Sequence, residues 1–384
     1  MARHQRYPLA RSKRKRSGGK FIALLLLLGL GLAVWVWWQN QPPPRQPTPK
    51  PPTLVASTNP ATIKPTAAPF RTNAAPLPTK TITNLSPAPQ NPQAPSTTGF
   101  PRPPRDAFET QVALARRGIS SGSLDGVIGA QTRAALLAFQ RQAGLPETQE
   151  LDADTRARLV VDAAPLTSYI VTSNDLARLQ PLSTTWLGKS QQAALDYETV
   201  LELVAERGQA SPNFIRKLNP AVDWSSVAAG TAIQIPDVIY PPVTRAGFAV
   251  ISLGEKKLEA FGAHTNLLAH FPCSIAARVE KRPAGELHVT AIAPNPDYTF
   301  NPEVFPESAE AAELKTKLIL PPGPNNPVGT AWISLDKPGY GLLGTPSPEQ
   351  VGRTESHGCF RLANWNADYL IKLVWVGMPV YVEP

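Results

Sequence analysis

The sequence predicts a multidomain protein that ends in an all-β, β-sandwich-like domain. Short apolar segments separated by Gly, Pro and Asn predict strands from Ala246 onward. Apolar residues at helical spacing indicate a small three-helix domain before them, and an uncharged 18-residue run near the N-terminus is long enough for a transmembrane helix. A chain of 384 residues has room for two or three domains.

Charge is unevenly distributed along the chain. Residues 1–105 contain 15 Lys and Arg and no Asp or Glu, whereas the whole chain has a net charge of +9. Residues 106–384 therefore hold 23 basic and 29 acidic side chains. Because the basic excess belongs to the first part of the chain, it does not favour a nucleic-acid-binding fold, and we expect no nucleic-acid partner.

The uncharged run Phe21 to Trp38 follows a basic tail at residues 1–20. As a helix it would span about 27 Å, close to the thickness of a bilayer core. Positive charge before the run places the N-terminus in the cytoplasm. A cleaved signal peptide is the alternative, but no small-x-small cleavage site follows the run. We expect a single-pass anchor at residues 21–38 in the cytoplasmic membrane, with the C-terminal domains in the periplasm or cell-wall space.

Residues 39–104 contain 19 prolines and almost no periodic apolar pattern. Such a segment cannot bury enough apolar surface to offset the entropy of ordering it. We expect a disordered linker, extended in part as polyproline II, that carries the following domains away from the membrane.

Residues 106–163 read as three helices: Glu109 to Arg117, Ala130 to Ala143, and a capped helix from Leu151 to Leu159. The glycine-marked loop LDGVIG separates the first two helices. The order ALARRGIS, LDGVIGAQTRAALLAFQRQAGL and LDADTRARL resembles the three-helix peptidoglycan-binding module of cell-wall enzymes. The resemblance implies affinity for cell-wall glycopeptide.

Residues 166–237 predict an α+β region. A short strand at Tyr169–Val171, helices from Thr199 to Arg207 and from Ser211 to Leu218, and a closing strand at Gly230–Pro236 follow one another. The segments YIVT, LNP and AAGTAIQIP are similar to a LysM repeat, a glycan-binding fold, with an unusual insertion around residues 178–196. A spacer domain that packs against the C-terminal domain is the alternative.

Residues 246–384 contain the predicted β domain. No nucleotide-binding glycine motif and no alternation of helices with strands occurs there, so the pattern predicts a β-sandwich or a barrel-like domain. The segment Pro302 to Leu318 has room for a helix, and Trp365 to Val374 is expected to form another. The predicted strands are Phe248 to Leu253, Leu258 to Phe261, Leu267 to Ile275, Leu287 to Ile292, Trp332 to Leu335 and Val380 to Val382.

The segment Ser356 to Arg361 holds one of two cysteines and one of five histidines. A cysteine attacks as the thiolate, which is scarce near pH 7 at an ordinary pKa of about 8.5. In an extended segment the His357 side chain lies on the same side as Cys359 and can take its proton. Gly358 permits unusual backbone angles and a close substrate approach, and the neighbouring N–H groups can stabilise an oxyanion.

The ordinary structural interpretation of these residues stays open. A single cysteine is most often a small buried apolar residue, and a single histidine most often a hydrogen-bonded core side chain. We expect Cys273, inside an apolar run, to be buried in a strand; a disulfide to Cys359 would remove the proposed nucleophile. The scattered histidines offer no zinc-like ligand set, so neither a metal nor another cofactor is expected.

Three motifs in order identify the C-terminal domain as similar to a known family. They are RPAGEL at 282–287, PNNPVG at 324–329 and SHGCFRL at 356–362, and they resemble the L,D-transpeptidase catalytic domain of the YkuD family. The resemblance implies a cysteine enzyme that attacks a peptidoglycan tetrapeptide stem, releases D-Ala and forms 3→3 cross-links; carbapenems commonly acylate such cysteines. It makes Cys359 the nucleophile and Gly358 and Cys359 the oxyanion site. Ser356 and Thr345 are candidate substrate-binding residues, and Arg361 either holds the loop or meets a substrate carboxylate.

One position departs from the family pattern. The family usually has an upstream general-base histidine in an Ile-His-Gly-Thr-like segment, and here Leu343 occupies that place in GLLGTP. Either His357 acts as the base, or a histidine from another strand (His264, His270 or His288) reaches the site, or the domain binds wall peptide without turnover. The function hypotheses are therefore a membrane-anchored transpeptidase, a catalytically impaired wall-binding protein, and a cysteine peptidase that hydrolyses stems.

Overall fold

The computed structural model describes residues 99–304, 309–314, 316–354, 356 and 358–384. The predicted basic tail, the anchor at residues 21–38 and the linker up to residue 98 lie outside these residues. Within the described ranges, no helix has the length and apolar character needed to cross a membrane.

Three helices form the first described domain: α1 (Ala107–Ala115), α2 (Ala130–Ala143) and α3 (Ala153–Arg158). Asp106 and Asp152 accept hydrogen bonds from the N–H groups three residues ahead and so cap α1 and α3. Because Asp106 is the cap, α1 begins two residues earlier than the predicted helix. It also ends two residues earlier. The helices share a buried apolar core of their own.

The next region pairs its first and last strands. Strand β1 (Leu166–Ile170) lies antiparallel to β2 (Ala232–Pro236). Four helices lie between them: α4 (Ser173–Arg178), α5 (Trp186–Ser190), α6 (Val200–Arg207) and α7 (Pro212–Leu218). The first strand lies earlier than predicted. The α5 helix lies inside the segment that the sequence marks as an insertion, and the resemblance to a LysM repeat stays a prediction.

The C-terminal domain is built on one eight-stranded sheet, as far as the described residues show. The strands are β3 (Phe248–Ser252), β4 (Lys257–Phe261), β5 (Leu267–Pro272), β6 (Gly285–Pro294), β9 (Ala331–Leu335), β10 (Gly341–Leu343), β11 (Phe360–Arg361) and β12 (Pro379–Glu383). Their order in the sheet is β11-β10-β9-β6-β12-β3-β4-β5; of these described neighbours, β10–β11 and β12–β3 are parallel and the others antiparallel.

The single sheet curls until its two edges meet, which is nearer to the barrel-like expectation than to a sandwich of two sheets. Beyond β5, Ser274 pairs with Arg361 of β11 through two backbone hydrogen bonds of 2.9 and 3.0 Å. This pairing joins the edges of a single sheet instead of stacking two. Helix α9 (Asn364–Leu373) packs on the sheet and contributes Leu370 and Leu373 to its main apolar core.

A hairpin projects from the sheet between β6 and β9. It consists of β7 (Tyr298–Phe300) antiparallel to β8 (Leu318–Leu320), with a 3₁₀ turn at Pro302–Val304 and helix α8 (Ala309–Glu313) between them. We call residues 298–320 the flap. The segment Pro302 to Leu318, which was expected to hold a helix, does so at α8, and its last residue, Leu318, begins strand β8.

Candidate active site

Cys359, the predicted nucleophile, lies at the joined edges of the sheet. Leu342 of β10 is in register with Phe360 of β11, and both side chains are buried in the core. Side chains alternate along a strand, so Cys359 and Arg361 lie on the opposite side from Phe360. Cys359 is partly exposed, and its thiol donates a hydrogen bond to the carbonyl of Gly339 at 3.4 Å.

Three influences act on the Cys359 thiol. Burial raises its pKa, whereas a backbone hydrogen bond from Gly341 and the positive charge of Arg361 each lower it. Burial is the largest of them, so the pKa lies above its ordinary value. Attack at neutral pH therefore requires a group that takes the proton as the carbon–sulfur bond forms.

Ser356 holds the loop ahead of the thiol in place. Its side chain is buried; the hydroxyl donates to the Cys359 carbonyl and accepts from the Gly358 N–H at 3.3 Å. Backbone hydrogen bonds to Ile275 and from Ala277 fix it further. These contacts make Ser356 a positioning residue, whereas the sequence predicts a substrate-binding one.

Gly358 leaves open space beside the thiol. A Cβ built on it would meet nothing within 4 Å, and its φ is outside the left-handed region. Gly358 therefore does not use the unusual backbone angles that it permits, and the space beside it among the described residues is open. Its N–H already has the Ser356 hydroxyl as a partner, and an oxyanion would compete with that hydroxyl.

Arg361 and Thr345, both predicted to bind substrate, line one cavity of about 350 Å³, and Cys359 is not among its described lining residues. The Arg361 backbone pairs with Ser274, which also lines this cavity. Thr345 is buried, and its hydroxyl accepts a hydrogen bond from the Ser347 N–H at 3.3 Å. Arg361 and Thr345 are thus brought together at one cavity.

Leu343 lies where a general base would be useful. It is in register with Arg361 on the neighbouring strand, which places its side chain on the nucleophile's side of the sheet, opposite Leu342. It is buried and cannot accept a proton. Leu343 therefore shares a side of the sheet with the Cys359 thiol but offers it no proton acceptor.

The histidines give no imidazole at Cys359 among the described residues. His357 lies outside those residues, so its predicted role as proton acceptor is untested. The Nδ1 atom of buried His270 contacts Glu259 Oε1 at 2.9 Å, and that of His288 contacts Asp336 Oδ2 at 3.0 Å. His264 lies in an exposed turn. We therefore find no contribution from these three.

Tyr298 is a site residue that the sequence does not reveal. Burial raises the pKa of its phenol; the charge of Cys359 raises it further and that of Arg361 lowers it. These interactions place Tyr298, at the start of the flap, near the nucleophile. No local motif marks it, because its proximity depends on where β7 lies relative to Cys359, which is far from it in the sequence.

Other features lie away from this site. Cys273 is fully buried directly after β5, forms no disulfide, and has a pKa raised by burial. A larger cavity of about 770 Å³ lies between the three-helix domain and α9, and no predicted site residue lines it. No cluster of metal-ligating side chains occurs within the described ranges.

Comparison with known families agrees with this geometry. Residues 246–382 match the model of the L,D-transpeptidase catalytic domain, YkuD, and residues 106–159 match that of a putative peptidoglycan binding domain. A YkuD L,D-transpeptidase catalytic domain is present in this chain. The sequence-based resemblances of both domains are thereby confirmed.

Individual relatives of the chain are also named L,D-transpeptidases. The chain is 26% identical over 184 residues to a putative L,D-transpeptidase YkuD of Bacillus licheniformis, covering 48% of this chain and 93% of that one. It is 31% identical over 186 residues to a probable L,D-transpeptidase ErfK/SrfK of Salmonella typhimurium, covering 47% and 59%. It is also similar to the structure of L,D-transpeptidase 3 from Mycobacterium tuberculosis, with a TM-score of 0.29, 16% identity and coverage of 41% and 77%.

Proposed function

We propose that the chain is a peptidoglycan L,D-transpeptidase in which Cys359 forms an acyl-enzyme with a tetrapeptide stem. One observation carries the proposal: a partly exposed thiol lies beside Arg361 and an open glycine at the joined edges of a YkuD-type sheet. The substrate class follows from the family resemblance and from the peptidoglycan-binding domain.

The reaction would use two acyl transfers. The Cys359 sulfur attacks the carbonyl carbon between the diamino acid and the terminal D-Ala, and D-Ala leaves with a proton on its amine. An amine of a second stem then attacks the thioester, forms the 3→3 amide or attaches another acceptor, and returns the thiol. The Gly341 backbone and Arg361 favour the thiolate by hydrogen bonding and charge.

The proposed location follows from the N-terminal part of the sequence. The basic tail and the run at residues 21–38 would anchor the protein in the cytoplasmic membrane with its N-terminus inside. The proline-rich linker would then let the enzyme reach the wall. The peptidoglycan-binding domain, and the LysM-like region if it binds glycan, would hold the enzyme on its substrate.

A catalytically impaired wall-binding protein is the alternative, and Leu343 favours it. General acid–base assistance is worth about 10²- to 10⁴-fold in rate, and this side chain provides none. Loss of that assistance predicts a slow enzyme when Cys359 retains access to substrate. It predicts no turnover when no other group accepts the proton.

Product analysis on purified muropeptides distinguishes these possibilities. We expect the wild-type protein to release D-Ala from tetrapeptide stems and to form 3→3 dimers, and Cys359→Ser to form neither. Tripeptide products without dimers would show hydrolysis. Equal product levels from wild-type protein and Cys359→Ser would overturn the proposal, as would binding to peptidoglycan without any D-Ala release.

A further inference from the structure

The inserted helix α5 is attached to the catalytic domain's flap. The N–H groups of Trp186 and Leu187 at its start each donate to the Glu310 carboxylate of α8 at 2.9 Å. The Trp186 ring stacks on Phe300 of β7, with ring centroids 4.3 Å apart and an interplanar angle of 14°. These contacts join a segment of the α+β region to the hairpin beside the nucleophile.

A small apolar core makes this attachment rigid. Leu195 of the insertion is fully buried with Phe300, Ala311 and Leu320 of the flap. The Leu195 N–H also donates to the Pro322 carbonyl at 2.9 Å, and its carbonyl accepts from the Asn325 N–H at 2.9 Å. Close packing and backbone hydrogen bonding together fix the insertion relative to the sheet.

The attachment brings Lys189 into the cavity of about 350 Å³ that Arg361 and Thr345 line. No described residue lining this cavity is acidic, and neither Lys189 nor Arg361 forms a salt bridge with a described residue. The Lys189 Nζ atom lies 5.5 Å from the centroid of the Trp186 ring, which orients it. Two cations facing one cavity without a counter-charge favour an anionic ligand.

A neighbouring cavity has the opposite charge. It encloses about 240 Å³, shares Asn325 and Pro346 with the basic cavity, and is lined by four glutamates: Glu198, Glu202, Glu206 and Glu349. Burial raises the pKa of Glu206 to about 8, so part of this acidity is neutralised near pH 7. An anion approaching this surface is therefore directed toward Lys189 and Arg361 and away from the glutamates.

The size and lining of the basic cavity suit part of a peptide. About 350 Å³ falls within the range of small-ligand sites, and hydroxyl and amide side chains from Ser274, Asn325, Gln350 and Thr354 line it. Arg361 lies two residues from Cys359, a spacing of about 6–7 Å in extended chain. A ligand group held at Arg361 is therefore about two extended peptide residues away from the thiol.

We propose that Lys189, from the inserted helix, and Arg361, from the catalytic sheet, together bind a carboxylate of the wall peptide whose carbonyl meets Cys359. The inserted segment is then part of the substrate site, although it lies about 170 residues earlier in the chain. The inference rests on the proposed function for its substrate. It adds a specificity residue that the catalytic domain alone does not contain.

Binding to full-length protein carrying Cys359→Ser tests this without turnover. Isothermal titration calorimetry with a tetrapeptide stem should give a Kd about tenfold higher for added Lys189→Ala, the loss expected for one partly exposed charge-assisted contact. Lys189→Arg should stay within about threefold, because it keeps the charge. Lys217→Ala, an exposed lysine on α7 outside this cavity, should not change the Kd.

Amidated stems identify the carboxylate. Amidation of either the terminal D-Ala carboxylate or the diamino acid's carboxylate should raise the Kd of the lysine-bearing protein about tenfold, and Lys189→Ala should then cost nothing further. An equal Kd for Lys189→Ala and its parent, or no stem binding by the parent, overturns the inference. So does a loss in Lys217→Ala as large as that in Lys189→Ala.

Turnover measurements separate this inference from the proposed function. In the protein with intact Cys359, Lys189→Ala should raise KM with little change in kcat, the pattern of lost ground-state binding. If Lys189→Ala forms cross-links normally with an unchanged KM, the proposed function stands and the role of Lys189 is overturned. Lysine-dependent stem binding without any D-Ala release supports the carboxylate site and refutes the transpeptidase.

Discussion

The two cysteines of this protein lie on either side of the same backbone pairing, yet their environments are opposite. Ser274, which directly follows Cys273, pairs with Arg361 of β11, and β11 begins directly after Cys359. Because side chains alternate, Cys273 and Phe360 face the core while Cys359 and Arg361 face the cavity side. Burial raises the pKa of both thiols, but only Cys359 has a hydrogen bond and a cation that lower it.

This difference shows that the alternation of side chains between the two faces of the sheet decides which thiol a substrate can reach. Cys273 has the chemistry of a core residue, inaccessible to a substrate. Cys359 has access, a backbone hydrogen bond and a nearby guanidinium. A mutation or reagent that acts on both cysteines should therefore give opposite outcomes at the two sites.

Replacing each cysteine by serine should give the largest contrast. Cys359→Ser should lower the rate of D-Ala release at least about 10³-fold, because a serine hydroxyl is a far weaker nucleophile without an activating base. Cys273→Ser should keep that rate within about twofold and lower the free energy of unfolding by about 1–3 kcal/mol, since a hydroxyl is buried in an apolar core. Steady-state kinetics and urea unfolding measure the two effects; a large rate loss in folded Cys273→Ser would contradict the contrast.

Leu343→His should increase the difference in reactivity between the Cys359 and Cys273 thiols. An imidazole at this position would lie on the nucleophile's side of the sheet and could accept its proton. We expect D-Ala release to rise about 10²-fold, within the usual range for acid–base assistance. Leu343→Gln, polar but without a titrating group, is the control and should show no rise. An unchanged rate in folded Leu343→His would mean that another group already accepts the proton.

The pH dependence of alkylation by iodoacetamide should show the same contrast between Cys359 and Cys273. A raised pKa means less thiolate at pH 7, so the rate at Cys359 should increase about tenfold per pH unit and reach its plateau only above the ordinary thiol pKa of about 8.5. Cys273 should stay unmodified in the folded protein. Peptide mapping over pH 6–10 measures both rates. A plateau below pH 8 at Cys359 would show that the pKa is lowered instead.

Arg361→Gln should have the smallest effect on thiol chemistry. Removing the guanidinium takes away a charge that lowers the Cys359 pKa, so the pKa rises further. The alkylation rate at pH 7.5 should fall about two- to fivefold, the size expected for a partly exposed charge pair. Arg361→Lys should recover most of the loss, and denatured protein should show no difference. A faster reaction in Arg361→Gln would contradict the assigned direction.

Local patterns predicted much of the fold. Helix α2 begins and ends where the apolar spacing and Gly144 indicate. Helix α6 begins directly after the Thr199 cap, and α7 after Ser211 with proline at its first position. The strands of two or three residues, β7, β8, β10 and β11, were missed because they are too short to show an alternation.

Contacts between distant segments were beyond such patterns. Closure of the sheet depends on the pairing of Ser274 with Arg361, which no local spacing encodes. For the same reason, the motif around Cys359 predicted Arg361 and Thr345 at the site, but not Lys189 or Tyr298. Those two reach it through the insertion and the flap, whose positions depend on packing between separate parts of the chain.

Covalent trapping tests the central claim most directly. The folded full-length protein would be incubated with a carbapenem, digested and mapped by mass spectrometry at pH 7 and pH 9. We predict one drug adduct per chain, on Cys359, that forms faster at pH 9, with Cys273 unmodified. No adduct on Cys359 at either pH, or an adduct on Cys273 alone, would contradict the assignment of Cys359 as the attacking nucleophile.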